Sequence, residues 1–177
     1  MSLLATVSPE NATGPLAETY HDIEQAMGWV PNAMRLYSQS PELAAMRWAQ
    51  TRYFMQHPRL SPALLAFTRM LVSGDNDCGY CVGLNEAMLI NRLGVSAEAV
   101  AATKKDPSAA PLAAPERALL LFVLKATRTP HAVEAQDVER MRAVGWTDRD
   151  LLEAVEHAAR NLAMDVMFNA FKIERDF

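Results

Sequence analysis

An all-α fold is what this sequence predicts, and three observations carry the prediction. Ala, Leu, Met, Glu and Arg are abundant throughout, and all are good helix formers. No segment shows sustained alternation of apolar and polar residues bounded by hairpin turns. Helix start and stop signals recur instead along the whole chain.

Taken in order, helices are expected at about 15–27, 41–57, 62–75, 77–93, 97–104, 115–127, 133–144 and 148–173. Ser40-Pro41-Glu42 and Ser61-Pro62 each pair an N-cap residue with a proline at the first helical position, where the missing N–H costs nothing. Asn76 and Asp77 are both good N-caps for the helix that follows them. Ser96 has Glu98 in its first turn, and Thr147 has Asp148 and Asp150, acids placed where the helix dipole favours them. Gly94 and Gly145 read as C-terminal stops. The stretch from Lys105 to Pro115, K-D-P-S-A-A-P-L-A-A-P, holds too much proline for helix and reads as a linker between two halves.

Those halves resemble each other. S-P-A-L-L-A-F from Ser61 parallels A-P-E-R-A-L-L-L-F from Ala114, which aligns Pro62 with Pro115. R-L-G-V-S-A-E-A-V from Arg92 parallels R-A-V-G-W-T-D-R-D-L-L from Arg142, which aligns Gly94 with Gly145. Reuse of common caps and stops would give some of this; an internal duplication covering about 60–104 and 113–173 gives all of it. Carrying Cys78 across by the first offset lands on His131, so only one copy holds a cysteine pair.

At 177 residues the chain, 1–177, suits one domain with enough core to fold without staples. Half its residues are hydrophobic and 21% are charged, an ordinary globular balance. A net charge of −4 supplies no basic footprint, so no nucleic-acid partner is expected. No apolar run approaches the roughly 20 residues of a membrane span, and the opening M-S-L-L-A-T-V-S-P-E-N lacks a signal pattern. The expected location is therefore cytoplasmic, where a cysteine pair is more often redox-active or metal-bound than a structural staple.

The chemistry concentrates in N-D-C-G-Y-C-V-G-L-N-E, Asn76 to Glu86, which contains the two cysteines of the chain, Cys78 and Cys81. Residues three apart on a helix share a face, at a spacing a disulfide accepts. A helix N-terminus favours a thiolate, and a thiolate beside a second thiol can be oxidised and then trapped as a disulfide. Asp75 and Asp77 oppose thiol ionisation unless their charges are engaged elsewhere. A metal site is the weaker reading, because His21, His57, His131 and His157 are scattered and a zinc site usually shows a second ligand pair. Two small buried cysteines with no chemistry remain the structural alternative.

The sequence resembles the alkylhydroperoxidase D-like (AhpD-like) branch of the carboxymuconolactone decarboxylase superfamily, in its peroxidase-related members. G-W-V-P-N-A-M-R-L-Y-S-Q-S-P-E-L from Gly28, L-S-P-A-L-L-A-F from Leu60 and N-D-C-G-Y-C-V-G-L-N from Asn76 carry the resemblance, which extends through G-W-T-D-R-D-L-L-E-A-V to the final F-N-A-F. It implies an AhpD-like helical fold with two pseudo-symmetric repeats, assembled as a homo-oligomer, a trimer or hexamer. It implies a thiol-dependent hydroperoxidase or disulfide oxidoreductase without cofactor or metal. In that scheme Cys81 is the peroxidatic thiol, Cys78 shares its proton and resolves the sulfenate, and a dithiol reductant, lipoylated in the best-known case, restores the pair. The substrate is a peroxide or small organic molecule.

Two positions depart from the family pattern. A histidine is expected four residues after the second cysteine, where this chain has Asn85, and a glutamate twelve before the first, where it has Ala66. Those two residues form the family's proton relay, and general acid–base help is worth typically 10²–10⁴-fold. Glu116 and His157, on the second copy, are candidates to reach the site. The alternative functions are a catalytically quiet oligomer that binds a ligand or senses redox state, and a decarboxylase-like enzyme that does not use the cysteines.

Trp29, Trp48, Trp146, Phe54, Phe67, Phe122, Phe168 and Phe171 read as core and subunit-contact aromatics. The last helix, with Leu151, Leu152, Val155, Leu162 and Val166, is apolar on more than one side.

Overall fold

The computed structural model describes residues 2–176. Among them every regular element is helical: α1 (Gly14–Met27), α2 (Asn32–Arg35), α3 (Pro41–Met55), α4 (Pro62–Asp75), α5 (Gly79–Asn91), α6 (Ala97–Lys105), α7 (Ala114–Arg128), α8 (Ala135–Ala143) and α9 (Asp148–Ala170), joined by short 3-10 turns. The expected helices are all present. The sequence reading had no counterpart for α2, a single turn that opens after Pro31.

Two of the three expected serine caps make their side-chain bond, whereas Ser40 occupies the N-cap position of α3 without one. Ser61 Oγ accepts from the Leu64 N–H at 3.1 Å, and Ser96 Oγ accepts from Ala99. At the start of α9, Thr147 N–H donates to Asp150 and the Asp150 N–H donates back to Thr147 Oγ1, the reciprocal pairing of a capping box. After α8, Gly145 adopts φ 98°, with Gly145 N–H bonded to the Arg142 carbonyl and Trp146 N–H to Met141. That left-handed position excludes most side chains. In one place the expectation needs correcting. Asn76 and Asp77 do not begin α5: Asn76 closes α4, its side chain donating to the Val72 carbonyl at 2.8 Å. Asp77 turns the chain at φ 52°, so Cys78 itself is the N-cap residue of α5.

The chain divides into two compact units, residues 1–56 with 167–177, and residues 57–166. In the first, α1 packs on α3, burying Leu16, Tyr20, Ile23, Val30, Met34, Ala44 and Trp48. In the second, α4 is the central element. It packs on α5 and α7 and buries nine of its residues, Leu64 to Thr68 and Met70 to Ser73. Leu89, Val100, Leu119, Leu120 and Val123 complete the apolar surroundings. Trp146 is buried, donates its indole N–H to the Pro115 carbonyl at 2.9 Å and lies under the Arg59 guanidinium. Trp48, Phe54, Phe67, Phe122 and Phe168 are also buried, whereas Trp29 and Phe171 are partly exposed. On α9, Leu151 is buried but Leu152 and Val166 face solvent. No helix among the described residues is long and apolar enough to cross a membrane.

Candidate functional site

Three helices of the second unit each present polar residues one turn apart toward the same interior. Arg69 and Ser73 lie on α4, Cys81 and Asn85 on α5, and His157, Asn161 and Asp165 on α9. A spacing of four residues keeps such side chains on one face. Apart from Arg69, which is half-buried, all of them are buried. Polar side chains in such a place must satisfy one another, and they do so in two layers.

The deeper layer contains the cysteines. Cys78 Sγ, Cys81 Sγ and a carboxylate oxygen of Asp165 lie within 4.8 Å of one another. Cys78 and Asp165 are fully buried, and Cys81 is 3% exposed. Ser73 donates its hydroxyl to Asp165 Oδ1 at 2.8 Å. Asn161 Nδ2 donates to Ser73 Oγ at 2.6 Å and reaches Asp165 Oδ2 at 3.4 Å. Both thiols are free rather than joined in a disulfide.

The second layer lies one turn away. Asn85 donates through Nδ2 to the Cys81 carbonyl at 2.8 Å and accepts at Oδ1 from Arg69 Nε at 2.7 Å. Arg69 Nη1 is 3.1 Å from His157 Nε2. A guanidinium nitrogen can only donate, so His157 Nε2 accepts and carries no proton. Asn85 therefore ties the first turn of α5 to Arg69, and His157 reaches the site's second layer. Ala66 is fully buried and supplies no polar atom. The fixed geometry gives Asn85 a positioning part and offers no base at the two positions where the resemblance places them.

The charges follow from these contacts. A hydrogen bond from the Cys81 thiol lowers the Cys78 thiol from its usual value against the opposing effect of burial, and the Cys81 backbone N–H adds to the lowering. Cys81, as the donor in that bond and desolvated besides, is pushed far up. The two sulfurs thus hold one proton between them more readily than none. The Asp165 carboxylate acts against ionisation at both sulfurs. Burial raises Asp165 itself, while Ser73 and the two thiols pull it back down. Asp75, one of the acids expected to oppose the thiols, is bound to Arg128 at 2.7 Å. Among the described residues the two thiols and the acid beside them are three groups that could also ligate a metal ion, one fewer than the four of a closed structural zinc site.

No family model matches the sequence, and no curated protein matches it. Solved structures do match. An uncharacterized peroxidase-related protein from Ralstonia eutropha JMP134, described as an alkylhydroperoxidase AhpD core, superposes with a TM-score of 0.85 over 99% of this chain and 92% of its own, at 20% identity. The fold is AhpD-like. A peroxidase-related protein from Silicibacter sp. TM1040 has a TM-score of 0.81, 22% identity and coverage of 98% and 91%. The debrominase Bmp8 has a TM-score of 0.78, 17% identity and coverage of 98% and 92%. A cysteine-to-alanine variant of Bmp8 is known in complex with 2,3,4-tribromopyrrole. At these identities the likeness establishes the AhpD-like architecture expected from the sequence and leaves the chemistry to the residues.

Of the residues singled out in the sequence, Cys78, Cys81, Asn85 and His157 lie in the two layers, whereas Glu116, in the first turn of α7, is not among the groups gathered at the sulfurs. It did not find Asp165, Ser73, Asn161 or Arg69. A signal for them exists. His157, Asn161 and Asp165 recur every fourth position on a helix otherwise rich in Ala, Leu and Val. A polar stripe at helical spacing on a buried face has to meet a polar partner.

Proposed function

We propose that this protein is a dithiol oxidoreductase that reduces a hydroperoxide through Cys81 and Cys78. The observation that carries the reading is the pair itself: two free sulfurs at the first turn of α5, within 4.8 Å of each other and of a buried carboxylate. Cysteines kept only for packing would sit among hydrocarbon. These share a pocket of the core with Asp165, Ser73 and Asn161, a cost in desolvated polar groups that chemistry explains and packing does not.

Cys81 sulfur attacks one peroxide oxygen, the O–O bond breaks, and the alkoxide leaves as the alcohol after taking a proton. Cys81 is now a sulfenic acid. Cys78 attacks the Cys81 sulfur, hydroxide leaves and is protonated to water, and a disulfide remains. An external dithiol, free or lipoyl-like on a protein, reduces it by exchange. Attack by Cys81 requires the shared proton to move off that sulfur, because the resting hydrogen bond favours the thiolate at Cys78. A homo-oligomeric assembly in the cytoplasm accompanies this proposal.

The test is hydroperoxide consumption with a dithiol reductant. Wild type turns over. Cys81→Ser falls to background, and Cys78→Ser, with the reductant withheld, consumes one equivalent and stops at the Cys81 sulfenic acid without forming a disulfide. Consumption that survives both substitutions excludes the reading.

The debrominase among the structural neighbours favours a second substrate for the same electron count. A carbon–bromine bond of a small aromatic would be replaced by carbon–hydrogen while the dithiol becomes a disulfide and bromide and a proton leave. Bromide release from 2,3,4-tribromopyrrole, absent in Cys81→Ser, distinguishes this substrate from peroxide.

A further inference from the structure

We infer that Asp165 is the proton-handling residue of this dithiol, held in place by Ser73 and Asn161. The inference rests on the redox reading of Cys78 and Cys81 and assigns the step that reading leaves open. Ala66 and Asn85, at the two expected relay positions, leave no acid–base group at either of them. Asp165 comes instead from α9, far along the chain, and delivers a carboxylate oxygen within 4.8 Å of both sulfurs.

Three features suit it to the task. It is fully buried, so desolvation raises its carboxyl from the ordinary carboxylate value, the direction in which burial makes an acid a better proton acceptor. Its orientation is fixed, because Ser73 Oγ donates to Oδ1 and Asn161 buttresses Ser73. Its reach covers both sulfurs, so it stands beside the proton whichever sulfur holds it. It accepts the proton of Cys81 as that sulfur attacks and returns it to the departing alkoxide. Cys78, the thiolate of the resting pair, then attacks the sulfenic acid, and the departing hydroxide takes a proton from solvent. Asp165 ends the cycle ionised, as it began, and the dithiol that reduces the disulfide returns that proton to solvent.

The other titratable or charged groups on the packed elements do not compete for this part. Arg69 of α4 cannot release a proton at useful pH, and His157 of α9 is held by Arg69 in the second layer. Tyr80 precedes Cys81 on α5, and Glu86 of α5 is paired with Lys104. On α7, which packs against α4, Lys125 and Arg128 are bound to Asp137 and Asp75.

The experiment compares wild type with Asp165→Asn, which keeps the shape and loses the charge, on two readouts. One is the pH profile of thiol alkylation by iodoacetamide. The other is peroxide turnover with a dithiol reductant. Removing a neighbouring negative charge shifts the alkylation midpoint to lower pH, by about one unit or more. Removing the base lowers turnover by about 10²-fold or more. A thiol that ionises more easily yet turns over more slowly is the expected signature, and a merely structural role would not produce it. Ser73→Ala keeps the carboxylate and removes a hydrogen bond that holds its pKa down, moving the acidic limb of turnover to higher pH. Asp165 is excluded if its substitution leaves the alkylation midpoint unchanged, or if the midpoint moves with no loss of turnover. Should wild type consume no peroxide, the redox reading falls by itself; the alkylation midpoint then decides whether Asp165 governs the thiol protons.

Discussion

Asn85 does two jobs at once, and both concern the position of Cys81 rather than its proton. Its amide donates to the Cys81 carbonyl and accepts from Arg69. Asn85→Ala removes the acceptor from a half-buried guanidinium nitrogen. Leaving such a donor without its partner costs about 1–3 kcal/mol, readable as a lower midpoint in urea denaturation. The slope should not change, because the surface exposed on unfolding is the same. Asn85→His, which restores the histidine the resemblance expects, fares no better. The ring needs more room than a site only 2% exposed provides, and overpacking costs typically about 1–3 kcal/mol.

At the level of elements, the local grammar of the sequence was sufficient to locate nearly every helix. Ser61, Ser96 and the Thr147–Asp150 pair form the caps they advertise. Gly94 and Gly145 take the left-handed conformation of stops. Gly145→Ala tests one such stop cleanly, because open space surrounds the site and only backbone conformation is at stake. The expected loss is about 1–2 kcal/mol, with Gly145→Asn recovering part of it. What local grammar misjudged was the start of α5. Asn76 and Asp77 are both competent N-caps, but each is occupied differently. Asn76 satisfies the end of α4, Asp77 makes the turn, and the cap falls to Cys78. Asp165 was illegible for a related reason. Its meaning comes from α4 and α5 across a packing interface, and periodicity along one helix shows only that a polar residue is buried, not what it meets. The polar stripe on α9 was visible; its partners were not.

At the scale of the molecule, a buried carboxylate is a liability in stability. The sign of its pH dependence follows from its raised native value. Below the ordinary carboxylate range, about pH 4, Asp165 is protonated in both folded and unfolded chains and its contribution to stability is complete. As pH rises toward the elevated native value, the unfolded chain releases the proton first and stability falls. Asp165→Asn removes that dependence. Its thermal midpoint should equal or exceed that of wild type near neutrality, and the difference should grow as pH rises above about 4. Differential scanning calorimetry across that range reads it directly. A variant less stable than wild type at every pH would mean the carboxylate is retained for packing.

The measurement closest to the central claim is a count of free thiols in the native protein before and after one equivalent of hydroperoxide, with intact mass recorded alongside. The account predicts that both thiols disappear together with loss of two hydrogens, and that a dithiol reductant restores them. Two thiols still titratable after exposure, or one converted to a higher oxygen adduct with its neighbour untouched, would contradict it.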